Sequence, residues 1–204
     1  TTTVSPWDEA GAGTAFELRT LASADGGQPQ SWRVLAEAAS TSGRVDLYLG
    51  LDANGNGRPD PGEKACSAAM GVGLRRCELK VDVTGAPVRY WVMFHNRHGA
   101  TQAVDGVVFE VPMLGPAAGL VATGPGQLGA GEPGTLRIGW NDPGMLPGER
   151  RAGYVQLLSA GSVVGEVPVH LARSVGADAP TFELLTTATA HQQRALALIR
   201  AIQA

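Results

Sequence analysis

Hydrophobic and polar residues alternate along short segments in the first half of the chain. Successive side chains of a β-strand point to opposite faces of a sheet, so this alternation predicts half-buried strands. The segments are rich in β-branched and aromatic residues, and residues that favour turns separate them. In chain order they are residues 16–21, 32–36, 45–49, 79–83, 88–94 and 107–111. Several short strands at this spacing predict an antiparallel β-sandwich.

A break in composition follows this series. Residues 114–119 read Leu-Gly-Pro-Ala-Ala-Gly and residues 124–126 read Gly-Pro-Gly, which is typical of a linker and a loop. Alternating segments resume at residues 135–140, 154–158 and 163–171. We therefore expect an all-β fold of two tandem antiparallel β-sandwich domains. The first covers residues 1–115 and the second, smaller domain covers residues 116–175.

The tail over residues 176–204 has a different character. Residues 189–204 lack glycine and proline, and apolar side chains recur there at helical spacing. The residues that fall on one helical face are Ala195, Leu198, Ile199 and Ile202. This pattern predicts a short C-terminal amphipathic helix, which either packs on the second domain or docks on a partner.

Composition excludes several classes of protein. The hydrophobic fraction of 44% is enough for a packed core, which argues against wholesale disorder. The net charge of -3 comes without a basic stripe, so nucleic acid is not an expected partner. Apolar runs fall short of the roughly 18 residues that a membrane-spanning helix needs. Because the chain begins at Thr1 rather than methionine, we expect that a signal peptide or an upstream domain was removed.

The two cysteines indicate the compartment. Cys66 and Cys77 flank a segment with Gly71 and Gly73 at its centre, so a hairpin can bring them together. A disulfide needs Cα atoms about 4.4–6.8 Å apart, which cross-strand positions satisfy. An even count on a glycine-rich β chain favours a disulfide over two separate buried thiols. We therefore expect a secreted or extracytoplasmic protein of the cell surface or periplasm.

One motif carries recognisable chemistry. Residues 52–63, Asp-Ala-Asn-Gly-Asn-Gly-Arg-Pro-Asp-Pro-Gly-Glu, fit the pattern D-x-[DN]-x-[DN]-G-x5-E of calcium-binding loops. Calcium takes about six to eight oxygen ligands, which this spacing of carboxylates and amides can supply. We predict a Ca²⁺ site, with Arg58 contributing its main-chain carbonyl, formed by Asp52, Asn54, Asn56, Arg58, Asp60 and Glu63.

The flanks of the motif do not predict a helix–loop–helix hand. The segment before Asp52 alternates like a strand, and Pro59 lacks the N–H with which paired hands bridge to each other. We expect the loop to lie between two strands, or between a strand and a short helical turn over residues 63–70. The alternative is a polar turn that binds no ion, because the same residue types favour turns.

Catalytic constellations are not expected in this chain. A serine elbow of the type G-x-S-x-G and a phosphate-binding glycine loop are both missing from the sequence. We expect His95 and His98 to lie in a solvated loop with no carboxylate beside them, and His170 to lie on a strand surface. The prediction is therefore no enzyme. The weakest alternative is a hydrolase with a site around His95, His98 and Asp105.

Both predicted domains resemble parts of secreted bacterial proteases. Residues 45–49, Val-Asp-Leu-Tyr-Leu, lead into the Asp/Asn/Gly loop and precede Tyr-Trp-Val-Met at residues 90–93. This arrangement resembles the bacterial pre-peptidase C-terminal domain. Residues 134–140 and 147–155 look like the fibronectin-like, immunoglobulin-type domain near the C-terminus of secreted subtilisin-like proteases. The resemblance spans residues 14–172, whereas the tail helix and the cysteine pair depart from it.

The resemblance implies a non-catalytic region that follows a protease domain or is released from one. We therefore expect a calcium-binding accessory module that stabilises or targets a secreted hydrolase or protease, whose catalytic domain is the partner. The alternative is a free-standing cell-surface binding or adhesion protein that recognises a glycan or an extracellular protein. Exposed Trp91 or Trp140 would then contact the ligand.

Overall fold

A computed structural model describes residues 6–7, 13–23, 27–40, 44–98, 100–113, 119–127 and 132–173. The predicted tail helix lies outside these residues. The chain divides into two compact units, Thr1–Leu114 and Gly115–Ala204. Across the described ranges, no helix is both long and apolar enough to cross a membrane.

Unit 1 is built from antiparallel sheets. Its described residues form seven strands: β1 Thr14–Leu21, β2 Gln30–Ser40, β3 Val45–Leu51, β4 Lys64–Ala68, β5 Arg75–Val83, β6 Val88–Asn96 and β7 Val104–Pro112. One sheet has the order β1-β6-β3-β4, and the other has the order β5-β2-β7. Every pairing within both sheets is antiparallel.

Each segment of unit 1 that alternation predicted to be a strand lies in a strand. Of the two arrangements expected after the loop, a strand is observed and the helical turn over residues 63–70 is wrong, although alternation did not mark the bounds of β4. A single 3-10 turn, Pro61–Glu63, comes earlier, and the strand begins directly after it at Lys64. Residues 64–68 become a strand because they pair with β3, where Cys66 lies opposite Leu49.

The core of unit 1 draws side chains from both sheets. Alternate residues of β3 and β6 point inward and meet alternate residues of β2 and β5, as the strand pattern predicts. The buried cluster includes Val34, Ala36, Leu47, Leu49, Val81, Tyr90 and Val92. Burial of this apolar surface is the main favourable contribution to folding, and it gives the unit a sandwich-like interior.

The outer face of the four-stranded sheet is covered as well. Tyr48, Trp91 and Met93 form a second buried cluster there, with Trp7 and Leu18 packed against it. The ring of Trp7 lies 5.5 Å from that of Tyr48 and 6.0 Å from that of Trp91, between centroids. Trp91 is 0% exposed, so the expectation that it is an exposed ligand-contacting residue is wrong.

The disulfide predicted from the sequence is confirmed. Cys66 in β4 is bonded to Cys77 in β5, with a Cα–Cα distance of 5.6 Å. β4 is an edge strand of the four-stranded sheet, and β5 is an edge strand of the three-stranded sheet. The disulfide therefore joins the two sheets at one edge.

Unit 2 is also β structure. Its described residues form four strands: β8 Leu120–Thr123, β9 Arg137–Trp140, β10 Arg150–Ser159 and β11 Ser162–Ala172. β8 pairs with β9 and β10 pairs with β11, both antiparallel. The all-β expectation is confirmed. The expectation that His170 is a surface residue is wrong, because the end of β11 is buried on both faces and His170 is 8% exposed.

A buried tyrosine makes the stability of unit 1 sensitive to alkaline pH. The hydroxyl of Tyr90 donates a hydrogen bond to Glu110 Oε1 at 2.5 Å. Burial first, and then the Glu110 carboxylate, raise the pKa of Tyr90 above its ordinary value of 10.0. Burial and the nearby Asp46 also raise the pKa of Tyr48. Because the raised values belong to the folded chain, the unfolded chain releases these protons first as pH rises.

We therefore expect the free energy of unfolding to fall as pH increases above about 10, with the contribution fully present at lower pH. Urea unfolding across this pH range measures the loss, and ultraviolet absorbance follows tyrosinate formation. Tyr90→Phe should show a smaller loss than wild type. Ionisation of all three tyrosines near their ordinary pKa in the still-folded chain would contradict the prediction.

Candidate metal centre

The motif that predicts calcium binding forms the connection between β3 and β4. Asp52 follows directly after β3, and Glu63 ends the 3-10 turn before β4. The two strands pair with Gly50 opposite Lys64, so the sheet holds the two ends of the loop side by side. The loop therefore lies between strands, which is the first of the two arrangements expected from its flanks.

Side-chain oxygens inside the loop accept main-chain N–H groups of the same loop. Asp52 Oδ1 accepts from Gly57 at 3.2 Å, Asn54 Oδ1 accepts from Asn56 at 2.9 Å, and Asn56 Oδ1 accepts from Arg58 at 2.8 Å. Gly57 has φ of 75°, a left-handed conformation that glycine adopts without a Cβ clash. These bonds turn the alternate side chains toward the loop interior.

Four of the predicted ligand positions meet in this interior. Asp60 Oδ2 accepts hydrogen bonds from the amide nitrogens of Asn54 at 2.7 Å and Asn56 at 2.8 Å. Glu63 Oε1 accepts the main-chain N–H of Asn54 at 3.0 Å. Oxygen-bearing groups from both halves of the motif are thus within hydrogen-bonding distance of one another.

Strand β6 holds the loop at both ends. The main-chain N–H of Asp52 donates to Arg89 O at 3.0 Å, and the Arg89 guanidinium lies 2.8 Å from Asp52 Oδ2. At the other end, Trp91 Nε1 donates to Glu63 Oε2 at 3.3 Å. Neither Arg89 nor Trp91 belongs to the sequence motif, because β6 reaches the loop only through its pairing with β3.

The loop must use amide and carbonyl oxygens if it binds a metal ion. Within the described ranges, no three His, Cys, Asp or Glu side chains gather closely enough to hold a metal by themselves. An amide or carboxylate oxygen carries two lone pairs. The oxygens of Asn54 and Asn56 each accept a loop N–H and retain a second lone pair, while their amide nitrogens donate to Asp60. Carboxylate, amide and carbonyl oxygens are the donors that a hard ion such as Ca²⁺ takes.

A second polar cluster surrounds His95. β6 continues to Asn96, and His95 is 6% exposed, with its Nδ1 3.6 Å from Asp46 Oδ2. Asp46 Oδ1 also contacts Arg97 Nε at 2.7 Å and accepts the Met70 N–H at 2.9 Å. The expectation of a solvated His95 without a neighbouring carboxylate is therefore wrong. The cluster anchors the loop that follows β4.

A groove of about 700 Å³ opens along β1, β6 and β7, with Phe94 in its lining. Polar side chains in its lining pair with one another: Arg19 Nε lies 3.0 Å from Glu17 Oε1, and Gln102 Nε2 donates to Asn96 Oδ1 at 2.7 Å.

Trp140 is the other tryptophan that was expected to contact a ligand if the chain is an adhesion protein. Its side chain packs against the core of unit 2.

The resemblance to protease accessory domains rests on the sequence motifs of the two units. No family model matches the chain, and no match is found among curated proteins or solved structures.

Proposed function

We propose that this chain is a non-catalytic accessory module of a secreted hydrolase or protease and that Ca²⁺ stabilises its first unit. The observation that carries the proposal is the closed loop over residues 52–63, in which Asn54, Asn56 and Asp60 meet and Glu63 bonds to Asn54. The module stabilises or targets the catalytic domain that is its partner.

In this proposal the ion binds to the carboxylates of Asp52, Asp60 and Glu63. The amide oxygens of Asn54 and Asn56 and the main-chain oxygen of Arg58 complete the set. In the described structure Asp52 lies against Arg89, and the three carboxylates do not form one cluster. Ion binding therefore has to draw Asp52, Asp60 and Glu63 together, which the attraction of each carboxylate to a divalent cation favours. With so few charged ligands, we expect an affinity in the range of about 10⁻⁴–10⁻³ M that is found in extracellular modules.

The disulfide supports the extracytoplasmic part of the proposal. Disulfides persist in secreted, cell-surface and periplasmic proteins and are rare in the reducing cytosol. The antiparallel strands of both units support the finer architecture of two tandem β-sandwich domains. The proposed C-terminal helix rests on the helical spacing of apolar residues in the sequence alone. His95 is 6% exposed beside Asp46, and this burial leaves it little access to a substrate, which favours the non-catalytic proposal over a hydrolase site at His95.

Thermal unfolding in EDTA and then in millimolar calcium tests the ion site. With the expected Kd, about 5 mM calcium is roughly 5- to 50-fold above Kd and stabilises the folded unit by about 1 to 2 kcal/mol. We therefore expect a clear rise in Tm for the wild-type chain. Asp52→Ala should abolish the rise, and Asp60→Asn should reduce it.

Two controls make this measurement specific. Glu78→Gln removes a carboxylate of the three-stranded sheet, where Glu78 pairs with Arg33. This variant should keep the full calcium response. Magnesium at the same concentration should give a smaller shift, because Mg²⁺ demands a tighter octahedral geometry and loses water reluctantly. Identical Tm values in EDTA and in calcium would reduce the motif to a polar turn.

The sequence of the gene that encodes this chain tests the accessory role separately. A catalytic domain encoded in the same frame supports it. A frame that encodes a surface anchor and no catalytic domain would favour the free-standing adhesion protein instead.

A further inference from the structure

We propose that Arg89 is a built-in cation that competes with calcium for Asp52 and thereby sets the calcium affinity of the loop. The inference rests on the proposed function, because it concerns the same site. It assigns a regulatory role to a residue outside the motif.

The guanidinium of Arg89 reaches into the first half of the loop. Its Nη2 atom lies 2.8 Å from Asp52 Oδ2 and donates to the main-chain oxygen of Gly55 at 2.7 Å. A Cβ atom on Gly55 would lie only 3.2 Å from the same Nη2 atom. Arg89 therefore bridges the first and fourth positions of the motif, and glycine at position 55 gives it room.

Burial makes Asp52 dependent on a counter-charge. The side chain of Asp52 has 0% exposure, whereas that of Arg89 is 40% exposed. A buried carboxylate without a positive partner is strongly unfavourable. When no calcium is bound, the Arg89 guanidinium supplies the positive charge beside Asp52.

Calcium changes the balance of charge at Asp52. Both cations are attracted to the same carboxylate, but they repel each other at short range. Asp52 is fixed by its main-chain bond to Arg89 O, whereas the half-exposed guanidinium can withdraw into solvent. Calcium binding is thus an exchange in which the divalent ion replaces the guanidinium.

Substitution of the side chain separates this role from the fold. The Asp52–Arg89 main-chain bond and the pairing of β3 with β6 do not involve the guanidinium. Arg89→Gln therefore removes the charge and keeps the strand. Arg89→Lys keeps the charge and serves as the matched variant.

The experiment measures calcium affinity of the full chain by isothermal titration calorimetry. Terbium luminescence gives a second readout, because Trp91 contacts Glu63 at 3.3 Å and can sensitise an ion bound in the loop. We expect Arg89→Gln to bind calcium about tenfold more tightly than wild type, since one repelling charge is removed. Arg89→Lys should stay close to wild type, as should Arg33→Gln on the other sheet. In EDTA, Arg89→Gln should have a lower Tm than wild type.

The outcomes distinguish this inference from the proposed function. Equal or weaker calcium binding by Arg89→Gln, with wild type binding, overturns the competition and leaves the calcium site in place. Binding by Arg89→Gln alone supports the competition in its strongest form. If neither wild type nor Arg89→Gln binds calcium or terbium while circular dichroism shows both folded, the site and the competition both fail.

Discussion

Gly50→Ala is expected to destabilise unit 1 by about 3 kcal/mol or more, at the upper end of what overpacking a core costs. A Cβ atom at this position would overlap Cζ2 of the Trp91 ring and lie 2.5 Å from the main-chain oxygen of Glu63. Neither neighbour can give way easily. Trp91 is 0% exposed with Trp7 packed against it, and Glu63 O belongs to the backbone.

Urea unfolding measures the loss, and Gly62→Ala is the matched control. Gly62 lies in the adjacent loop, and a Cβ atom there meets nothing within 4 Å. We expect the control to unfold close to wild type. Because Trp91 and Glu63 also flank the loop over residues 52–63, Gly50→Ala should in addition lose the stabilisation by calcium that we propose. Equal midpoints for the two variants would contradict the overlap.

Removal of the disulfide is expected to cost about 3 kcal/mol, the size usual for a short closed loop. The bond restricts the unfolded chain between Cys66 and Cys77. It also joins edge strands of two different sheets. Alanine is the suitable replacement, because Cys77 is 1% exposed in the core and serine would bury a hydroxyl there.

Urea unfolding with and without dithiothreitol gives the measurement. The wild-type midpoint should fall in the reductant, and the Cys66→Ala/Cys77→Ala chain should unfold at the lower midpoint in both conditions. Because unit 2 contains no cysteine, its unfolding should not respond to the reductant. A wild-type midpoint that stays constant while thiol titration detects both free cysteines would disprove the expectation.

Alternation predicted the strands well where one face of the sheet is buried and the other is polar. In β3 it placed Val45, Leu47 and Leu49 in the core, where they lie at 0% exposure. It gave no sign that Asp46 and Tyr48 are buried too. That burial depends on residues distant in sequence, such as Trp7 and Arg97.

Two other features were beyond the reach of local sequence patterns. Residues 64–68, Lys-Ala-Cys-Ser-Ala, have little strand propensity of their own, and they form β4 because β3 offers a free edge. The motif identified the oxygen donors of the loop, but Arg89 and Trp91 come from another strand. Knowledge that β3 pairs with β6 would have identified both residues, because this pairing places β6 beside the loop that follows β3.

The disulfide also determines where the two layers of unit 1 can separate. It ties β4 to β5, so the sheets cannot part at that side without breaking a covalent bond. The opposite edge strands of the two sheets are β1 and β7, and the groove runs along these two strands. We therefore expect the two sheets to separate first between β1 and β7 on heating, at the side away from the sulfur atoms.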